Sequence, residues 1–304
     1  MVQLFFAKEL GFCWGVERSI KLAAQAKNEN PGKVTILKEI VHNRQVVDFF
    51  KKKGVGQEDS LDNIDSGTLV ISAHGISPQL KKQARAKGLQ IVDTTCPLVE
   101  RVHKIAKKLI GEGYQIILYG EPEHDEVMGV IGIDPDNIFL LAEYGDINKL
   151  PHFRGKLALL TQTTRGIESF AKVSQRMAEL YLGIRIEKTI CRATEKRQAA
   201  VYELAPEMDL MLVIGSASSG NSRRLHDIAS NVCARAYLLD APEQIEWYWF
   251  DGIHRVGLTA GASTPSFAVE MIVNAIYEHV GIDLDHSDPR ISDYLLFESR
   301  KNVQ

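Results

Sequence analysis

The stretch QIVDTTCPLVERVHKIAKKLI, residues 90–110, contains a short run rich in apolar residues, then a polar turn, then a helical pattern. Gln90–Asp93 favours a strand. Pro97–Ile110 favours a helix, because apolar residues recur there at helical spacing and proline suits the first helical position. The same order of strand, turn and helix returns along the chain. Strands that alternate with helices of about 10–15 residues are typical of βαβ units, so the sequence predicts an α/β fold with mostly parallel sheets.

Further strands and helices are predicted on the same grounds. The other predicted strands are Lys33–Leu37, Thr68–Ser72, Gln115–Tyr119, Leu157–Leu160, Arg185–Lys188, Leu210–Ile214, Ala236–Leu239 and Arg255–Leu258. The other predicted helices are Val16–Lys27, Gln45–Lys53, Pro78–Lys87, Gly166–Tyr181, Glu195–Ala205, Ser222–Val232 and Ser266–Val280. Parallel sheets carry their sites beyond the carboxyl ends of the strands, so the chemistry is expected in the turns that lead from strand to helix.

The composition excludes several classes of protein. The chain has 304 residues and a net charge of −3, which argues against a partner bound through bulk positive charge, and so against nucleic acid. No apolar run approaches the length of a membrane span, and the N-terminus lacks the basic region of a signal peptide. We therefore expect a cytoplasmic protein with no membrane partner.

Polar turns of three kinds recur along the sequence in a fixed order. A turn with a cysteine is followed by two further polar turns, and this happens three times, with cysteines at positions 13, 96 and 191. The turns carry Cys13, His42 and His74; then Cys96, His124 with Glu126, and Thr163; then Cys191, Ser219 with Asn221, and Ser263. This order indicates a diverged threefold repeat with units of about 90 residues.

The repeat sets the expected domains. Residues 14–96 form the first α/β unit, residues 97–192 the second and residues 193–282 the third. Residues 1–13 join the third unit, and residues 283–304 form a C-terminal tail that covers the cavity or contacts a partner. If the three units pack around a common axis, their cysteine turns meet at one pseudo-threefold centre.

Three converging cysteines indicate a metal centre. Three thiolates can hold a cubane iron–sulfur cluster with one iron open, and a zinc site also accepts three ligands plus water. The absence of a required histidine favours iron–sulfur over zinc, although ligand softness alone leaves both possible. Cys233 lies late in a helical pattern, so we expect it to be an ordinary core thiol.

The other polar turns indicate an acid and an anion site. Glu126 follows His124 and runs into the apolar Val127 and Met128, so its carboxyl is expected to be desolvated and to stay protonated near neutral pH. The turns GSASSGNS (215–222) and TAGAST (259–264) precede helices and offer amides and hydroxyls to an anion. Together with the histidines, these turns predict a diphosphate pocket.

This set of motifs resembles one known family. GFCWGVERSI, EIVHNRQVVD, SAHGIS, DTTCPLVERVHK, TQTT, ICRAT, GSASSGNSRRL and TAGAST, in this order, resemble 4-hydroxy-3-methylbut-2-enyl diphosphate reductase, the LytB family, over about residues 4 to 280. The resemblance implies an iron–sulfur oxidoreductase that catalyses the last step of the methylerythritol phosphate route to isoprenoids. Its allylic diphosphate substrate is reductively dehydroxylated to isopentenyl and dimethylallyl diphosphate. The electrons come from a donor such as ferredoxin or flavodoxin.

The resemblance also implies roles for individual residues. Cys13, Cys96 and Cys191 ligate one 4Fe–4S cluster, whose fourth iron takes the terminal hydroxyl of the substrate. Glu126 delivers a proton, and Thr163 orients the hydroxyl. The residues implied for the rest of the substrate are His42, His74, His124, Ser219, Gly220, Asn221 and Ser263.

The sequence departs from the family pattern in two turns. Gly220 stands where a second serine is usual, so its backbone amide replaces a hydroxyl and substrate binding is expected to weaken by up to roughly tenfold or somewhat more. The turn at 120–124 gains Glu121 and Glu123, which we expect to point to solvent because carboxylates repel a diphosphate.

Three alternatives remain open from the sequence. A hydro-lyase would use a three-cysteine cluster only as a Lewis acid, although such enzymes usually carry two of the cysteines close together. A cluster-bearing redox or iron sensor would leave Glu126 and the diphosphate turns without a role. The third alternative is a paralogue with a changed substrate preference, as Gly220 suggests.

Overall fold

The computed structural model describes residues 1–295, and these form two compact units. One unit is Trp14–Cys191, which contains two β-sheets. The other combines Met1–Cys13 with the chain from Arg192 onward and contains a third sheet. The expected subdivision of Trp14–Cys191 into units 14–96 and 97–192 stays a prediction.

Strands and helices alternate along most of the chain. The strands are β1 (Gln3–Phe6), β2 (Val34–Leu37), β3 (Gly56–Glu58), β4 (Thr68–Ile71), β5 (Gln90–Asp93), β6 (Tyr114–Tyr119), β7 (Ile138–Leu141), β8 (Lys156–Thr161), β9 (Arg185–Ile186), β10 (Leu210–Ile214), β11 (Ala236–Leu239) and β12 (Arg255–Ala260). The α-helices are α1 (Trp14–Glu29), α2 (Arg44–Lys52), α3 (Pro78–Ala86), α4 (Pro97–Gly111), α5 (Asp125–Ile131), α6 (Ile167–Leu180), α7 (Arg192–Leu204), α8 (Gly220–Val232) and α9 (Ser266–His279).

The three sheets share one strand order. In spatial order they are β3-β2-β4-β5, β7-β6-β8-β9 and β11-β10-β12-β1, and every pairing within them is parallel. The fourth strand of the third sheet is β1, where Gln3 pairs with Arg255, so the N-terminal residues complete this sheet. The predicted α/β class with parallel sheets is confirmed.

Burial explains why the central strands read as continuous apolar runs. Every residue of β10 has an exposed fraction of 0%, and β4 is likewise buried along its whole length. A strand that is covered on both faces needs apolar side chains at every position, which is the usual state of parallel sheets. The core of the unit that begins with Met1–Cys13 packs β1, β10 and β12 against α9.

Among the strands and α-helices named above, three strands and one helix depart from the predicted pattern. The strands β1, β3 and β7 and the helix α5 were not predicted. β3 has three half-buried residues with no apolar pattern, because it lies at a sheet edge. α5 has seven residues and begins within the charged cluster His124–Glu126. Its sequence is therefore too short and too charged at its start to show a helical pattern of apolar residues. β7 has the sequence IFLL, a run of four residues that is too short to separate a strand from a helical turn.

The chain after α9 runs along the edge strand β1. The backbone N–H of Asp288 donates to the carbonyl of Leu4 (2.8 Å), and the guanidinium of Arg290 donates to the carbonyls of Phe6 and Ala7. This segment therefore covers a sheet edge that would otherwise expose backbone groups. The rest of the expected tail, residues 296–304, lies outside the described residues. Among the residues described, no helix is both long and apolar enough to cross a membrane.

Candidate active site

Each of the three predicted cysteines occupies the same position in its sheet. Each follows the fourth strand and directly precedes a helix: Cys13 precedes α1, Cys96 precedes α4 and Cys191 precedes α7. Each backbone N–H donates to a carbonyl in the turn after the neighbouring third strand. These bonds are Cys13 to Ala262 (3.0 Å), Cys96 to Ala73 (2.9 Å) and Cys191 to Thr163 (3.0 Å). The threefold repeat therefore extends to the hydrogen bonds that hold the cysteine turns.

The cysteines have the chemistry of a soft-metal site. Cys13, Cys96 and Cys191 are half-buried thiols, and each directly precedes a helix. Thiolates are the ligands of iron–sulfur clusters and zinc, whereas magnesium and calcium take oxygen. Cys233, by contrast, is buried in a core cluster and donates to the carbonyl of Met208 (3.3 Å), as expected for a core thiol. The donor set of the first three thus fits the cluster that the resemblance implies.

Three histidines form one cluster in the unit Trp14–Cys191. His42, His74 and His124 follow β2, β4 and β6. The rings of His42 and His74 stack with centroids 4.2 Å apart, and the ring of His124 lies edge-on at 5.3 and 5.5 Å. The three strand-end turns therefore bring their histidines into contact with one another.

Hydrogen bonds at Nδ1 hold two of the three histidine rings in place. Nδ1 of His124 accepts the backbone N–H of Glu126 (3.1 Å), so a neutral His124 carries its proton on Nε2 and can donate from there. Nδ1 of His42 lies 2.9 Å from a carboxylate oxygen of Glu39. Burial, followed by the charges of His42 and His124, holds the pKa of His74 well below its usual value, so His74 is neutral at pH 7.

Glu126 is buried and bonded to Thr163. Its side chain is 2% exposed. The backbone N–H of Thr163 donates to one carboxyl oxygen and its hydroxyl bonds the other, both at 2.7 Å. Burial raises the pKa of Glu126 to about 7, against the opposing effect of the Thr163 bonds. The expected desolvation of this carboxyl is present in the structure.

The two extra glutamates in this turn differ from each other. Glu123 is exposed, as expected. Glu121 is half-buried, and its charge adds a minor contribution to the raised pKa of Glu126. The expectation that both point to solvent therefore holds for Glu123, whereas Glu121 is only partly exposed, and its backbone N–H donates to the side chain of Gln162 (2.8 Å).

The turn before α8 carries an unsatisfied buried amide. Asn221 is 3% exposed, and neither Oδ1 nor Nδ2 has a hydrogen-bond partner among the residues that the structure describes. Ser219 caps α8, since its hydroxyl oxygen accepts the N–H of Ser222 (3.3 Å), and Gly220 is the first helical residue. Ser263 is also buried, in the turn after the neighbouring strand β12. A buried polar side chain without a partner calls for an explanation, and a bound ligand is one.

Two glycines allow these turns to approach each other. A Cβ at Gly215, after β10, would lie 2.4 Å from the hydroxyl oxygen of Ser222, and a Cβ at Gly261, after β12, would lie 2.2 Å from it. Both distances are too short for any side chain. The small residues of these two turns predicted an anion site, and two of them, Gly215 and Gly261, are also required for packing.

The structure contains an ion pair at the histidine cluster that no sequence pattern predicts. Lys38 follows β2 in the left-handed region (φ +61°), and its ammonium pairs with the carboxylate of Asp125 at the start of α5. The Asp125 carboxylate lies within 4.8 Å of ring nitrogens of His42 and His74. No spacing rule links Lys38 to Asp125, because the pair depends on how two separate sheets present their turns.

A buried arginine likewise has no signal in the sequence. Arg197, on α7, is 3% exposed, and its guanidinium donates to the carbonyl of Gly11 (2.8 Å), two residues before Cys13. It therefore holds the turn of Cys13 in place. A charged residue in the interior of a predicted helix is usually exposed, so the pattern gives no hint of such a contact.

Comparisons with known proteins point to one family. The family model described as LytB protein matches residues 4–277. A 4-hydroxy-3-methylbut-2-enyl diphosphate reductase of Aquifex aeolicus is 38% identical over 91% of this chain and 97% of its own length. The same-named protein of Neorickettsia sennetsu is 36% identical over 90% and 91%.

A solved structure shares the fold. The E-1-hydroxy-2-methyl-but-2-enyl-4-diphosphate reductase from Plasmodium falciparum superposes with a TM-score of 0.88 at 30% identity, and the match covers 92% of this chain and 90% of that one. Together, the family model, the relatives and the shared fold identify the chain as a member of the LytB family.

Proposed function

We propose that the protein reduces 4-hydroxy-3-methylbut-2-enyl diphosphate to isopentenyl and dimethylallyl diphosphate, as the last step of the non-mevalonate route. The reaction adds two electrons and two protons, breaks the C–O bond of the terminal hydroxyl and releases water. The observation that carries the proposal is the buried carboxyl of Glu126, with a pKa of about 7, in the turn that also supplies His124 to the histidine cluster. Strongly perturbed pKa values cluster at functional sites.

Binding of the diphosphate is assigned to two groups of residues. His42, His74 and His124 offer ring N–H donors. Asn221 offers an amide whose hydrogen-bonding capacity is unused within residues 1–295, and Ser219, Gly220 and Ser263 add hydroxyls and a backbone amide. Binding energy from the diphosphate, which does not react, would position the distant hydroxyl for reaction.

Proton delivery is assigned to Glu126. Hydroxide is a poor leaving group, and a protonated carboxyl can convert it to water. Because burial raises the pKa of Glu126 to about 7, the protonated form is populated at neutral pH. Thr163 bonds both carboxyl oxygens of Glu126. Because these two bonds fix the orientation of the carboxyl group, they also fix the direction in which it can donate a proton.

We assign Cys13, Cys96 and Cys191 as the ligands of one 4Fe–4S cluster. When bound, the cluster would pass electrons to the substrate and offer an open iron to its hydroxyl. The protein's own contribution is a set of equivalent thiols, each held by a backbone bond at a helix start. The electrons would reach the protein from a small redox protein such as ferredoxin or flavodoxin, in the cytoplasm.

An anaerobic assay tests the function. The protein is purified without oxygen and mixed with substrate and reduced methyl viologen, and electrons consumed and products formed are both counted. We expect two electrons per molecule of product. Loss of substrate without consumption of electrons, with a dehydrated or hydrated product in place of the two diphosphates, would indicate a hydro-lyase. No binding of the diphosphate by calorimetry would indicate a sensor.

A further inference from the structure

A basic cleft lies in the unit Trp14–Cys191, between α3 and α4 beyond the end of β5. Its volume is about 340 Å³. Five cationic side chains line it: Lys81, Lys82, Arg85, Lys104 and Lys107. The function proposed above does not use this cleft.

The cleft has an excess of positive charge. Among the described residues, two carboxylates line it, and both are paired, Asp93 with Lys81 and Glu100 with Lys104. Lys82, Arg85 and Lys107 form no ion pair within residues 1–295 and are exposed. Five cations against two carboxylates leave three uncompensated positive charges, on a chain whose net charge is −3.

The neighbouring histidine does not add to this charge. His103 also lines the cleft, but burial, followed by the charge of Lys107, lowers its pKa to about 4. It is therefore neutral at pH 7. The positive field of the cleft comes from the lysine and arginine side chains that α3 and α4 present to solvent.

The floor of the cleft adjoins the proposed site along the chain. Gly75 and Thr95 both line the cleft, and they are the direct neighbours of His74 and Cys96. The two segments are in close contact: a Cβ at Gly75 would lie 3.0 Å from a methyl of Thr95. A molecule seated against Thr95 is thus one residue along the chain from Cys96, a proposed cluster ligand.

We propose that this cleft is the docking site of the protein that delivers electrons, a small redox protein with carboxylates around its redox centre. The inference rests on the proposed reductase function, which requires two electrons per turnover from outside. Opposite charges on two proteins speed and orient their encounter. The unpaired cations lie on exposed faces of two helices, a layout that suits a protein surface better than an enclosed small anion.

Charge reversal tests the proposal in the cluster-loaded enzyme. The triple variant Lys82→Glu/Arg85→Glu/Lys107→Glu is compared with the control Lys51→Glu/Lys52→Glu/Lys172→Glu, which reverses three exposed lysines that line no part of the cleft. Two quantities are measured with an acidic ferredoxin: its Kd by calorimetry at low salt, and its KM as electron donor. Turnover with reduced methyl viologen is measured alongside.

The expected result separates binding of the electron donor at the cleft from the reaction at the active site. For the triple variant, Kd and KM for ferredoxin rise at least about tenfold and lose most of their dependence on salt, while turnover with methyl viologen is unchanged. The control variant behaves as the parent. A triple variant with ferredoxin Kd and KM within about twofold of the parent overturns the proposal, as does an equal loss with both reductants.

Two further outcomes would overturn docking in different ways. If inorganic diphosphate binds the parent at a second site that the triple variant lacks, and ferredoxin binding is unaffected, the cleft is a small-anion site and docking is refuted. If the parent itself fails to turn over with methyl viologen, the reductase function fails and docking of an electron donor fails with it. A failure of docking alone is distinguishable, because methyl viologen then still supports turnover.

Discussion

Glu126 shows how a single residue acquires a catalytic pKa from its surroundings. The carboxyl is desolvated by burial, and Thr163 donates to both of its oxygens. Burial favours the neutral form, whereas the two bonds favour the charged form. The balance leaves a group that can hold a proton at neutral pH and release it.

Replacing this acid should stop the chemistry and leave binding intact. Glu126→Gln keeps the shape of the side chain but supplies no acidic proton. We expect a loss in kcat of at least about 10²-fold with KM nearly unchanged. The exposed neighbour provides the matched control, since Glu123→Gln should keep full activity. If Glu126→Gln retains more than about a tenth of the parental kcat, the proton comes from another donor.

The dependence of activity on pH should follow the same carboxyl. A general acid works in its protonated form, and the pKa of Glu126 is raised to about 7. The value of kcat/KM, which reports the free enzyme, should therefore fall as pH rises through about 7. A profile measured with methyl viologen, whose electron transfer does not involve protons, should show this decrease. A profile that stays flat from about pH 6 to about pH 9 would contradict the assignment.

The Asn221 amide, which has no hydrogen-bond partner in the part of the chain that the structure describes, leads to a prediction about binding. Each hydrogen bond to a charged group contributes about 1.5–3 kcal/mol, so Asn221→Ala should raise KM by about tenfold or more. The neighbouring Gly220→Ser adds the hydroxyl that the resemblance leads us to expect and should leave KM unchanged or lower it. Substrate affinity is measured by calorimetry. Parental affinity in Asn221→Ala would place the diphosphate elsewhere.

Between secondary-structure elements, the pair Lys38–Asp125 links the end of β2 to the start of α5. Lys38→Ala leaves the Asp125 carboxylate without its cation, close to the ring nitrogens of His42 and His74. That negative charge should repel the diphosphate and raise KM. The double variant Lys38→Ala/Asp125→Asn removes the charge and should restore KM. A double variant as impaired as Lys38→Ala would refute this electrostatic role.

The elements that could be predicted are those with a strong local pattern. β5, β10 and β11 coincide with the predicted strands because their apolar runs end at polar turns. β3 and α5 could not be predicted, since an edge strand of three residues and a helix of seven are held by tertiary contacts. The bond from Thr163 to Glu126 was equally hidden, because the two residues belong to different turns of the same sheet.

For the molecule as a whole, the repeat of polar turns predicted more of the structure than the apolar patterns of the individual strands did. The fixed order of turns anticipated the cysteine at each helix start and the similarity of the three sheets. It also predicted that residues 1–13 join the third unit, but not that Gln3–Phe6 form a strand that pairs with β12, because the short run QLFF carries no turn motif that marks its partner. Likewise, no sequence rule locates the cleft between α3 and α4, which depends on how the two helices lie beside β5.

The iron content of the anaerobically purified protein and of its cysteine variants tests the proposed cluster. The parent and Cys233→Ser should each hold about four iron atoms per chain, as one 4Fe–4S cluster requires, together with broad visible absorbance. Cys13→Ser, Cys96→Ser and Cys191→Ser should each lose the cluster or hold it weakly. Full iron content in Cys191→Ser, or loss of iron in Cys233→Ser, would contradict the assignment of the three equivalent cysteines.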